Sequence, residues 1–259
     1  MTTNAPPTEP GRAVPRNAVR RPRIFRYSAV GLLVALALLF CTAPFVEDLR
    51  WGDLIEAVLL TLVMVSAVVA VGGRRRVLII ALLLVAPTLA GKWANHLRPD
   101  LVPPVVFLAP GLLFVGFVAL QLLGFILRAR KIDSEVLCAA VAGYLLLGML
   151  WAFGYTLVAR LAPGSFAFSA GPPGQSVKGF TALYFSVITL STVGYGDIVP
   201  VAGPARMLAM MEAMTGTFYV AILISRLVAL YSSPPQSERV DGRNPAGAGG
   251  PASKEKSVL

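Results

Sequence analysis

Six apolar stretches recur along the chain, at about residues 27–46, 53–72, 77–94, 103–127, 136–159 and 205–231. As α-helices rising about 1.5 Å per residue, each is long enough to cross roughly 30 Å of hydrocarbon. Hydrocarbon offers backbone N–H and C=O groups no partner, so stretches of this kind are read as helices that satisfy themselves. The third is the shortest, and its Pro87 is expected to kink it. Composition agrees, because 56% of the 259 residues are apolar and 14% charged, against about 25% charged in a soluble domain.

The connections carry the orientation. Residues 1–26 are rich in Pro, Thr and Arg, and 232–259 in Pro, Gly, Ser and charge, so both read as disordered tails. With six spans, 17 Lys and Arg fall on one side, in the two tails, the second-to-third and fourth-to-fifth turns and at Arg226. The other side holds 6: Arg50, Lys92, Arg98, Arg160, Lys178 and Arg206. Basic residues stay on the cytoplasmic side, which places both termini there and the chain in the cell membrane. The net charge of +10 is therefore a topology signal, not a nucleic-acid footprint. The basic start followed by an apolar run could be a signal peptide, but a run of about 20 residues exceeds the usual 7–15. A retained first span is the expectation.

Cys41 and Cys138 sit inside apolar runs and read as small buried hydrophobes. His96 lies in a short polar connection. No Cys/His cluster has metal-ligand spacing, and no nucleophile or phosphate-loop pattern stands in a suitable context. Neither an enzyme nor a bound cofactor is expected.

Between the fifth and sixth spans lies a stretch that is not a full span. Residues 178–190 are apolar with scattered hydroxyls, about three turns of helix. Thr192-Val193-Gly194-Tyr195-Gly196-Asp197 follows almost at once. Non-helical backbone at membrane depth is tolerated only where it is buried in protein or lines water. Gly194 and Gly196 accept positive φ, so successive residues can alternate in handedness and turn their carbonyls to one side. Carbonyls of Thr192, Val193, Gly194 and Tyr195, with the Thr192 hydroxyl, would then stack as rings that replace a cation's hydration shell. One chain gives one oxygen per ring, so four chains are needed.

At these residues the chain resembles the potassium channel pore-loop family, whose selectivity filter carries TVGYG. The resemblance covers about residues 136–231. It implies a homotetramer in the lipid bilayer that binds K+ at Thr192, Val193, Gly194 and Tyr195 and passes it without a cofactor. Val193 and Tyr195 side chains would brace the filter. Gly216 falls where the family keeps a hinge glycine; close helix packing is the other use of a glycine in a span. Thr217, Val220, Ile224 and Val228 repeat at helical spacing and would line the inner cavity. Around the filter, Phe185 stands where many members have Trp, and Ile188 where a bacterial member has Glu. Neither side chain can bond Asp197; Tyr184 is the nearest hydroxyl that could. Glu212 is an acid inside the sixth span, by helical phase nearly opposite Thr217. It is expected to bond a hydroxyl or backbone group of the short helix, with an ion-facing role as the alternative.

The expected fold class is therefore all-α integral membrane: tails at 1–26 and 232–259, a four-span peripheral bundle at 27–131, and a pore module at 132–231. Six spans with one filter is the layout of voltage-gated channels, whose fourth span carries Arg or Lys every third residue. Leu101 to Leu127 contains neither. Passive K+ conduction without voltage sensing is the expectation. The rivals are a potassium uptake transporter, which carries four imperfect filters in one chain, and a non-conducting scaffold.

Overall fold

A computed structural model describes residues 28–46, 49–71, 75–98, 103, 105–129, 133–169 and 175–231. Both expected tails, and most of the basic residues counted as cytoplasmic, lie outside these. Among the described residues six helices are long and apolar enough to cross a membrane: α1 (Ser28–Val46), α2 (Gly52–Val71), α3 (Arg75–Leu97), α4 (Val105–Arg128), α5 (Ser134–Leu161) and α7 (Gly203–Tyr231). The shorter α6 (Gly179–Leu190) lies between α5 and α7. Two three-residue strands, β1 (Phe166–Phe168) and β2 (Ile198–Pro200), flank it and pair antiparallel, Ala167 opposite Val199. The all-α expectation thus gains a small ribbon.

Local chemistry explains the ends. Asp133 caps α5, its side chain accepting the Val136 N–H at 3.1 Å, with Glu135 in the first turn. Gly203-Pro204 opens α7, where a proline's missing N–H costs nothing. α3 runs unbroken through Pro87 and reaches Leu97, beyond the expected 94. Its polar end is tied down: Lys92 pairs with Glu56 of α2 at 2.9 Å, and Trp93 Nε1 donates to Thr61 Oγ1 at 3.3 Å.

α1 to α4 pack around a core of Leu32, Leu36, Val63, Met64, Phe114 and Val118, continuous with Ala142, Leu146 and Met149 of α5. A second core joins α5 to α6 and β2 through Tyr155, Ala182, Phe185 and Ile198. So α5 is shared, packed by the bundle on one side and by α6 and α7 on the other. Many large apolar side chains face outward, among them Leu83, Leu120 and Phe218, as hydrocarbon-facing helices require. Cys41 belongs with them: it is exposed on α1, not buried as its apolar run implied, because an apolar helix face can look at lipid instead of protein.

Candidate functional site

The chain leaves α6 by stacking three amides on its last turn. Thr192 N–H donates to Thr189 O at 2.9 Å, and Val193 and Gly194 N–H both donate to Ile188 O, at 2.9 and 3.1 Å. Across a trans peptide the carbonyl points opposite to the following N–H, and no described peptide is cis. The carbonyls of Ser191, Thr192 and Val193 therefore face away from α6. φ is positive at Thr192 (61°), Gly194 (52°) and Gly196 (79°), and at neither residue between them. The handedness alternates through the loop, starting two residues earlier than the glycines alone indicated. A β-branched residue at positive φ is strained by roughly 1–2 kcal/mol; the amide bonds to α6 hold it there.

Val193 and Tyr195 are 53% and 72% exposed, so their own chain does not brace them. The exit of the loop is fixed instead. Asp197 O accepts Ser169 N–H at 2.9 Å, and Val201 N–H donates to Ser165 O at 2.8 Å, extending the β1–β2 ribbon at both ends. Tyr184 Oη donates to Asp197 Oδ2 at 2.8 Å. This bond pushes the Tyr184 phenol up from 10.0 to about 12, so its stabilisation is complete below pH 10 and is lost as pH rises through about 12. Asp197 Oδ1 is buried with no hydrogen-bond partner among the described residues. Phe185 is buried, edge-on to Tyr155 and Phe166 with centroids 4.8 and 5.6 Å apart. Ile188 is buried too, but acts through its carbonyl. Tyr184→Phe removes a donor to a charged group, worth about 1.5–3 kcal/mol elsewhere. Thermal unfolding of the purified chain in detergent is expected at lower temperature for Tyr184→Phe; an unchanged midpoint would show that the bond is replaced by water.

Behind the loop, Glu212 is fully buried. Tyr155 Oη of α5 donates to its Oε2. Ser186 Oγ of α6 lies 2.5 Å from its Oε1 and 2.7 Å from Gly148 O of α5. One turn further, Gly216 sits in an unbroken α7 where an added Cβ would fall 2.2 Å from Leu190 O. In this conformation the glycine serves close packing. Tyr219 Oη donates to Ala140 O at 2.7 Å and closes the α5–α7 contact. Thr217, Val220, Ile224 and Val228 are all exposed on α7, with Thr217 Oγ1 turned back to Ala213 O at 2.9 Å.

Sequence reasoning set Glu212 against a hydroxyl or backbone group of α6 without naming Ser186, and missed Tyr155, Gly148 and Ser169. Only Ser186 left a signal, a hydroxyl in an apolar helix that had to face something polar. Among the described residues no three His, Cys, Asp or Glu group as metal ligands.

A re-entrant helix and loop held between two spanning helices defines a membrane protein with a pore-type module. The sequence comparisons concur: the model of the family described as "Ion channel" matches residues 136–233. Protein LctB of Bacillus caldotenax is 31% identical over 127 residues, 44% of this chain and 92% of that protein. The chain belongs to this ion channel family. Two pore potassium channel c of Oryza sativa subsp. japonica is 41% identical over 78 residues, 30% of this chain and 16% of its own length. Voltage-gated potassium channel Kch of Escherichia coli (strain K12) is 37% identical over 104 residues, 39% of this chain and 23% of its own. For several curated relatives, then, the matched part is less than a quarter of their length.

Proposed function

We propose that this chain is the subunit of a potassium-selective channel that conducts K+ passively as a homotetramer in the cell membrane, with both termini cytoplasmic. The observation that carries the reading is the loop at Thr192–Asp197, with alternating φ and the carbonyls of Thr192 and Val193 turned away from α6. Four such loops around an axis would offer stacked oxygen rings at Thr192, Val193, Gly194 and Tyr195, in place of water. The exposed Val193 and Tyr195 side chains are then free to pack on neighbouring subunits. Thr217, Val220, Ile224 and Val228 would line the cavity below, with Gly216 the point about which α7 could bend. Residues 132–231 form the pore module and 27–131 the peripheral bundle. The transporter reading loses ground because the chain carries one complete TVGYGD run.

The test is flux. The purified chain in liposomes is expected to pass K+ in strong preference to Na+, and flux of neither ion would refute the reading in favour of a scaffold.

Opening is expected to be nearly independent of voltage. Moving one charge through the field is worth about 2.3 kcal/mol per 100 mV, and along α4 the only basic residue is Arg128 at its end. Currents recorded in symmetric K+ between about −100 and +100 mV should show no steep sigmoidal open probability. A slope equal to several gating charges per tetramer would overturn this expectation.

A further inference from the structure

The hydrogens around Glu212 can be counted. Ser186 Oγ carries one hydrogen and has two oxygen neighbours, Gly148 O at 2.7 Å and Glu212 Oε1 at 2.5 Å. A carbonyl only accepts, and an ionised carboxylate only accepts. If Glu212 were ionised, one of those two short contacts would hold two oxygens with no hydrogen between them. If Glu212 carries a proton on Oε1, every contact is filled: Oε1–H donates to Ser186 Oγ, Ser186 donates to Gly148 O, and Tyr155 donates to Oε2.

We infer that Glu212 is held as a neutral carboxylic acid that donates to Ser186, and that this chain of bonds positions α6 between α5 and α7. The groups facing it fit. From α5 come Tyr155 and, further off, Tyr144; α6 presents Ser186; and α7 itself adds Tyr219 a turn beyond Gly216. Among the described residues no Lys, Arg or His forms an ion pair with Glu212, and a fully buried carboxylate without a cation is costly. The bonding is close to the loop in sequence. Ser186 is one turn before Leu190, whose carbonyl packs on Gly216, so Glu212 and Gly216 form two successive rungs between α7 and the helix that carries the loop. Glu212 is thus a positioning residue for the filter, not a group that meets the ion.

The protonation state stands on geometry; its effect on flux rests on the potassium reading. Two measurements keep them apart. Glu212→Gln presents an N–H to Ser186 and an oxygen to Tyr155, the same pattern as the neutral acid. Its K+ flux in liposomes is expected within about threefold of the parent, whereas Glu212→Leu leaves the Tyr155 hydroxyl without its acceptor and Ser186 Oγ without its donor and should lose at least about tenfold. The infrared difference spectrum, parent minus Glu212→Gln, should contain a protonated carboxyl C=O band. Ser186→Ala should move that band to higher frequency by removing its acceptor, which a merely structural residue would not do. A pair of carboxylate bands in its place, or a Glu212→Gln chain that fails to assemble, overturns the proposal. The infrared result holds whether or not the protein passes K+.

Discussion

Gly194→Ala is expected to abolish selective potassium flux while leaving the chain folded. Gly194 has φ of +52°, and a Cβ built there would meet no atom of the chain within 4 Å. Within the chain the penalty is therefore one of backbone conformation, not of packing. An L-residue at positive φ is disfavoured by roughly 1–2 kcal/mol, and the proposed tetramer would incur it four times around one axis. Thr192 already carries such strain two residues earlier, so the loop has little tolerance for more. The low-energy escape is to turn the peptide between Val193 and Gly194, which aims an N–H where a carbonyl stood and breaks the oxygen ladder. K+ and Na+ flux into liposomes should be measured for both proteins. A K+ to Na+ ratio equal to the parent's would mean that the positive φ is not needed for selectivity.

Gly216→Ala should be the more damaging change to assembly. Here the Cβ meets backbone: Leu190 O at 2.2 Å and Leu190 C at 3.1 Å. A carbonyl on the last turn of α6 cannot rotate aside as a side chain would, so α7 and α6 must separate by about an ångström or more. Overpacking costs about 1–3 kcal/mol, and the separation also pulls on the Ser186–Glu212 contact one turn away. Gly124→Ala is the control, because nothing lies within 4 Å of its added methyl, and alanine in a helix interior gains roughly 0.5–1 kcal/mol over glycine. Native mass measurement in detergent should show loss of the proposed tetramer, or a marked fall in its thermal stability, for Gly216→Ala alone. Equal stability of the two variants would contradict the close packing at Gly216.

How far the sequence could be read depended on whether a feature was local. The spans were legible within a few residues because twenty apolar side chains in a row leave a chain only one way to satisfy its backbone. α6 was legible for the same reason, since a helix of twelve residues is too short to cross. The Tyr184–Asp197 bond was within reach because both partners belong to one short segment. The surroundings of Glu212 were not. Its helical phase turned it toward α6, but its choice of Ser186, and of Tyr155 lying 57 residues away, follows from the register between packed helices, which no local pattern encodes. Gly216 shows the same limit: a glycine in a span reads equally as a bend or a close approach until the neighbouring carbonyl is placed. The β1–β2 ribbon was lost because β1 lies in a run of Gly, Pro and Ser and each strand has only three residues, too few for alternation to mark it. The positive φ of Thr192 was missed because it is imposed by amide bonds to α6 against the residue's own preference.

The central claim, selective passage of K+, is most directly tested by the reversal potential of the full chain in a planar bilayer with K+ on one side and Na+ on the other. Current carried by K+ should persist at zero applied voltage, with reversal displaced strongly in the direction that opposes K+ flow. A reversal potential at zero would show a pore that does not distinguish the two ions and would contradict the account.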